Sequence, residues 1–170
     1  RIYQLPLGIV GIAIGVVLLP DLSRRLRAND LKGADNAQNR AIEYSLLLTV
    51  PASLALMIIA LPIVQTLFEH GAFTKRDSFQ TSMALTMFAM GLPAFVLTKV
   101  FSPGFFARED TKTPMYFAAI AMFLNLIGSY VLFKIFGHVG IAIATSLAGW
   151  VNAILLGAFL YRRDQFHMDA

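Results

Sequence analysis

Five long stretches of this chain carry no formal charge, and that pattern constrains the fold more than any other feature. They are 19 residues between Arg1 and Asp21, 25 between Glu43 and Glu69, 21 between Asp77 and Lys99, 21 between Lys112 and Lys134, and 27 between Lys134 and Arg162. Together they take up 113 of the 170 residues. At about 1.5 Å of rise per residue, even the shortest reaches about 28 Å as a helix, close to the roughly 30 Å hydrocarbon thickness of a bilayer. Charged residues make up 14% of the chain, against about 25% in a soluble domain, so the polar cover needed to bury five such rods in water is missing. An ordinary cytosolic enzyme is excluded. The expected fold class is all-α: a polytopic transmembrane helical bundle with five spanning helices.

In hydrocarbon every backbone polar group needs an internal partner, so these apolar runs are predicted helical despite their β-branched residues. The spans are placed at about 1–20, 43–68, 77–101, 113–133 and 138–161. Residues 21–42, DLSRRLRANDLKGADNAQNRAI, are the most polar of the chain and read as a basic loop, partly helical through Leu22, Leu26 and its alanines. Pro51 and Pro62 lie inside the second span and Gly91-Leu92-Pro93 inside the third; Ser102-Pro103-Gly104 is predicted to end the third. The last two spans are joined by Lys134-Ile135-Phe136-Gly137. There is no initiator Met and no signal peptide, which reads as an internal fragment of a longer chain. The absence of cysteine excludes disulfides and thiolate metal sites.

Lys and Arg collect on one side of a membrane-spanning chain, the cytoplasmic one. Alternate connections place ten on one side (Arg24, Arg25, Arg27, Lys32, Arg40, Lys99, Arg108, Lys112, Arg162, Arg163) and three on the other (Lys75, Arg76, Lys134). Loops 21–42 and 102–112 and the C-terminal end are therefore assigned to the cytoplasm. This asymmetry accounts for the net charge of +4 without a nucleic-acid partner.

Small residues recur where helices could approach closely. Gly11 and Gly15 form a GxxxG with Gly8 on a neighbouring face, and Gly140, Ala144 and Ala148 repeat every fourth residue. The string VGIAI occurs at 10–14 and again at 139–143, which in so simple a sequence reads as coincidence.

No catalytic constellation is present. His70, His138 and His167 have no ligand spacing, and Glu69-His70 and Arg108-Glu109-Asp110 are thin material for an enzyme. No catalytic residue, metal ligand or cofactor is assigned. What remains are polar groups at membrane depth, which raise functional hypotheses by default. Asn125 and Asn152, near the middle of their helices, read as interhelical hydrogen bonds or as ligand contacts. Gln4 and Gln65 lie nearer helix ends and read as interfacial. Lys99 either snorkels to the headgroups or faces a cavity. Arg1 is either a flanking interface charge or a guanidinium inside the span, where its planar donor fork suits phosphate oxygens.

Three segments carry a family resemblance. The run from Arg1 through Ile-Tyr-Gln-Leu-Pro-Leu-Gly-Ile-Val-Gly to Leu22-Ser23, the segment Leu67-Phe-Glu-His-Gly-Ala-Phe-Thr74, and Lys99-Val-Phe-Ser-Pro-Gly-Phe-Phe-Ala-Arg-Glu-Asp-Thr-Lys-Thr-Pro114 resemble, in the same order, those of the MurJ/MviN lipid II flippases. The resemblance implies membership of the multidrug/oligosaccharidyl-lipid/polysaccharide exporter superfamily, built from two six-helix lobes with two further helices. The five spans would match the eighth to twelfth of fourteen, most of the second lobe. It further implies a bacterial cytoplasmic (inner) membrane protein whose cationic central cavity holds the pyrophosphate and sugar of lipid II. Expected partners are therefore lipid II, the bilayer and the remaining helices of the parent chain. By resemblance Arg1 matches the cavity arginine of this lobe, with Lys99 and Asn125 as further cavity residues. Some relatives hold sodium near the last two helices matched here. Asn125 and Thr145 occupy two of those positions, but the acidic ligand expected one turn after Asn125 is Ser129. Rival readings are another exporter of the superfamily, for drugs or polysaccharide-linked lipids, and a non-transporting scaffold recruiting partners through the 21–42 segment.

Overall fold

A computed structural model describes residues 2–69 and 73–162; of the positions singled out above, Arg1, His70, Arg163 and His167 lie outside them. The described residues form helices and no strand. A short turn α1 (Gln4–Pro6) leads through a π-helical stretch (Leu7–Ile12) into α2 (Ala13–Arg27). The long helices α3 (Leu31–Phe68), α4 (Lys75–Phe106), α5 (Lys112–Phe136) and α6 (His138–Arg162) follow. Five helices, counting Leu7–Arg27 as one, are long and apolar enough to cross a membrane.

The segment expected to be a loop, 21–42, is almost wholly helical, and the chain turns only between Arg27 and Leu31. On α2, Asp21 pairs with Arg24 and Arg25 at 2.9 Å each, one turn apart, while Leu22 is fully buried on the opposite face. Asn29 takes φ 58° in the turn, a conformation asparagine tolerates better than most side chains. Asp30 then caps α3 by accepting from the Gly33 amide at 2.9 Å. Ala34, Gln38 and Ala41 face inward, so the polar stretch is a helical hairpin with a small-residue inner face. At 38 residues, α3 is about 57 Å long and overshoots a bilayer core by about 27 Å.

The other predicted boundary that fails is Ser102-Pro103-Gly104: α4 runs through it to Phe106. A helix-interior proline leaves the carbonyl four residues earlier without its amide partner. At Pro103 that carbonyl belongs to Lys99, and Gly15 of α2 approaches it closely; the carbonyls on either side are taken, that of Val100 by Gln38 Nε2 at 3.2 Å and that of Thr98 by Ser102 Oγ at 2.7 Å. At Pro93 the freed carbonyl, that of Ala89, is itself satisfied: Ser53 Oγ of α3 donates to it at 2.5 Å. Likewise α5 extends to Phe136, past its expected end, and stops at Gly137 with φ 59°, a left-handed backbone that glycine adopts without strain.

Helix α4 is the centre of the bundle. Leu18, Leu22, Ala34, Ala41, Val96 and Val100 form one core where α2, α3 and α4 meet. Phe101 and Phe105 join Leu156 and Leu160 of α6 in a second. Close approach rests on small residues. The Phe95 ring fills the notch formed by Gly91 and Gly149, and a Cβ on Gly149 would collide with it. Ser146 Oγ of α6 donates to the Met87 carbonyl at 2.6 Å and Trp150 Nε1 to that of Met90 at 3.1 Å. The expected Gly140/Ala144 stripe lies against α5: Gly140 abuts the Leu132 carbonyl, and a Cβ at Gly128 would touch Ala144.

Candidate functional site

A cavity of about 440 Å³ opens between the start of the chain and helices α4, α5 and α6. Its polar lining comes from all four: Gln4 with Tyr3, Thr98 and Lys99, Asn125, and Thr145 with Asn152. Each helix contributes through turn spacing: residues 95, 98 and 99 on α4, 118, 121, 122 and 125 on α5, and 145, 148, 149 and 152 on α6. These are i, i+3, i+4 and i+7 positions, one face of a helix.

Two of the three predicted site residues, Lys99 and Asn125, come together in this cavity. The third, Arg1, lies outside the described residues; Tyr3, which follows it by two positions, lines the cavity and stacks on Phe88 of α4 at 4.7 Å between ring centroids. Lys99 lies on the cavity wall with its stem along Gly11: a Cβ there would sit 3.5 Å from the Lys99 Cγ. The GxxxG pair thus makes room for a lysine and its carbonyl rather than for another apolar helix face. Gly11 lies in the π-helical stretch, a widened turn that is rare and concentrates at functional sites.

Asn125 fulfils the interhelical reading. Its Oδ1 accepts from Ser129 Oγ at 3.1 Å within α5 and from Thr145 Oγ1 of α6 at 3.3 Å. Sodium would need those oxygens turned to it with a carboxylate nearby. Here the Ser129 and Thr145 hydroxyls lie within hydrogen-bond distance of the amide oxygen, and the single Thr145 hydroxyl hydrogen is shared with the Ile141 carbonyl at 2.9 Å. No cluster of acidic or histidine side chains suited to a metal occurs among the described residues. The three side chains do not fit a sodium ion.

Asn152 does not fulfil the interhelical reading, and Gln4 departs from the interfacial one. Asn152 makes no interhelical hydrogen bond; among the described residues its Oδ1 is the one buried side-chain oxygen or nitrogen without a partner. Such an orphan costs about 1–3 kcal/mol unless a ligand or water supplies a donor. Gln4, expected at the interface, lines the cavity. Thr98 was not singled out at all; the signal that could have found it is its place beside Lys99, one turn past Phe95.

At the far end of α4, Arg108 is half-buried. Its guanidinium donates to the Gly104 carbonyl at 2.8 Å and lies 3.9 Å from Asp35 of α3. Burial pushes its pKa down from the ordinary arginine value and Asp35 pulls it back up, a balance that leaves it charged at any physiological pH.

Comparison with known proteins gives a consistent result. The family model described as "Lipid II flippase MurJ" matches residues 1–170. A protein of Rhizobium meliloti described as "Probable lipid II flippase MurJ" is 51% identical over 169 residues, 99% of this chain and 32% of the relative. The "Lipid II flippase MurJ" of Thermosipho africanus is 33% identical over 156 residues, 92% of this chain and 32% of the relative. A solved structure described as "Lipid II flippase MurJ, inward closed conformation" superposes with a TM-score of 0.84 at 32% identity, covering 99% of this chain and 35% of that one. The chain spans about a third of the length of the curated relatives it matches.

Proposed function

The chain belongs to the lipid II flippase MurJ family, and from that premise we propose that it supplies most of the second lobe of a flippase in the bacterial cytoplasmic membrane. The whole protein would move the undecaprenyl-pyrophosphate-linked peptidoglycan precursor from the inner to the outer leaflet by alternating access. The observation that carries this reading is the shared cavity: one lysine and six hydrogen-bonding side chains converge at membrane depth between helices whose spanning parts are otherwise largely apolar.

A pyrophosphate crossing a roughly 30 Å apolar slab needs a positively lined route. Lys99 supplies a point charge for its oxygens, and Arg1, on the same stretch as Tyr3 and Gln4, a bidentate fork. Gln4, Thr98 and Asn152 supply donors and acceptors for the hydroxyls and amides of the headgroup. The buried, unpartnered Asn152 oxygen gives that amide reason to turn toward an N–H or O–H donor in the cavity it lines. Asn125, already bonded to Ser129 and Thr145, orients the α5–α6 seam behind them. The cytoplasmic placement of the α2–α3 turn, of 107–111 and of the C-terminal end rests on the ten-to-three Lys/Arg asymmetry.

The test is made in the full-length protein. Arg1→Ala is expected to abolish lipid II flipping and Arg1→Lys to retain little of it. Lys99→Ala should lower transport by about tenfold, the loss of one charge-assisted hydrogen bond. Normal growth of cells relying on the Arg1→Ala protein, with full transport by Lys99→Ala, would remove the cavity from the mechanism. A label at Lys32 should be shielded from the outside and one at Lys75 reachable; the reverse would invert the topology.

A further inference from the structure

A second cavity, of about 580 Å³, lies on the flank of the α2–α3 hairpin, away from the site above. Its inner wall is apolar and small: Ala13, Ile14, Val17 and Leu18 on α2, Ala37 and Ala41 on α3. Its outer rim holds Asp21, Arg25, Arg40 and Tyr44. The rim coincides with the polarity boundary of both helices, because α2 has no charge between Arg1 and Asp21 and α3 none between Glu43 and Glu69. The cavity therefore straddles the level where phosphates of a bilayer lie: Ala13, Ile14, Val17 and Tyr44 fall on the hydrocarbon side of that boundary, and Asp21, Arg25, Ala37 and Arg40 on the water side.

The rim charges are not mutually satisfied. Both oxygens of Asp21 are taken, one by Arg24 and one by Arg25. Among the described residues Arg40 pairs with no carboxylate, although Glu43 follows it by one turn. Tyr44 is 58% exposed beside it, and Val17, across the cavity, is 72% exposed. A spare guanidinium and a phenol over an apolar trough match one class of molecule, with a negative head and a hydrocarbon tail.

We propose that this cavity binds an anionic phospholipid of the cytoplasmic leaflet, its phosphate on Arg40 and Tyr44 and one acyl chain along Ala13, Ile14 and Val17. The leaflet rests on the topology proposed above; the chemistry of the site does not. An acyl chain fits where the short side chains of Ala13 and Ala37 leave the space beside Val17 unfilled, and the guanidinium fork meets phosphate oxygens in its preferred geometry. Such a lipid would brace the hairpin that overshoots the membrane.

The experiment uses the full-length protein in nanodiscs of phosphatidylcholine with and without phosphatidylglycerol, followed by detergent extraction and native mass spectrometry. A photo-crosslinking residue at Val17 reads what fills the trough. Wild type should retain phosphatidylglycerol and crosslink to it. Arg40→Gln should lower retention about fivefold, the effect of one basic residue at a membrane surface, and Arg40→Lys should restore part of it. Ala13→Trp, at an exposed position of the trough wall, should abolish the lipid crosslink. Equal retention by wild type and Arg40→Gln would overturn the proposal. So would a crosslink to another stretch of the protein, or to a polyprenyl-phosphate lipid in place of phosphatidylglycerol. Lipid II flipping measured on the same samples keeps the two readings apart: loss of transport by wild type with phosphatidylglycerol retained would strike the flippase reading alone.

Discussion

Helices α4 and α5 have apolar windows of nearly the same mean hydropathy, yet half of the α4 window is buried and only 6% of the α5 window. Hydropathy registers that both leave water and is silent on which neighbours they meet. The difference lies in residues that a hydropathy scale counts weakly. Helix α4 carries Gly91, Pro93, Ser82 and Gly104 at buried positions and receives hydrogen bonds on its carbonyls from Gln38, Ser53, Ser146 and Trp150. Helix α5 presents Phe123, Leu126, Ile127 and Tyr130 outward and meets α6 along a seam to which it contributes Asn125 and Gly128. A lipid-facing surface is made of bulk, and an internal one of notches and donated hydroxyls.

Substitutions can break that contrast, and the largest effect is expected at the notches. Gly91→Leu places a side chain whose first carbon would be 2.6 Å from Ser146 Oγ. It should cost about 3 kcal/mol, read as a drop in the unfolding midpoint of the full-length protein in detergent. Gly140→Val should act similarly by driving α5 off α6 at the Leu132 carbonyl, and unchanged midpoints for both would mean that these crossings are not close. Next comes Ser53→Ala, which withdraws the hydroxyl that completes the Ala89 carbonyl below Pro93; about 0.6–1.7 kcal/mol is expected. Smallest is Leu126→Ala on the outer face of α5, 66% exposed, where the change should stay within about 0.5 kcal/mol. A Leu126 variant as damaging as Ser53→Ala would show that the outer face of α5 is covered in the whole protein.

Much of this architecture is legible in the sequence because charge is so costly in hydrocarbon. Each of the five windows free of Asp, Glu, Lys and Arg lies largely in a different one of the five long helices. What escaped is governed by shape. The helical hairpin over 21–42 hides its inner face, Leu22, Ala34, Gln38 and Ala41, among charges that point outward. Ser102-Pro103-Gly104 reads as a helix stop because the packing that holds it helical is distant in sequence: Gln38, which bonds the Val100 carbonyl, is sixty-two residues away. In the candidate site, Lys99 and Asn125 stand out as polar groups in apolar runs, whereas Gln4 and Thr98 become cavity residues only once four helices are assembled. The missing acidic residue at Ser129 is visible in the sequence; that its hydroxyl turns inward to the Asn125 oxygen is visible only in three dimensions.

The bond from Ser53 to the Ala89 carbonyl has a mechanical meaning. A proline hinge normally lets the two halves of a rod swing independently, because one rung of its ladder is absent. In α4 that rung is replaced by a hydroxyl rooted in the next rod, so any swing at Pro93 must drag α3 along or let go of it.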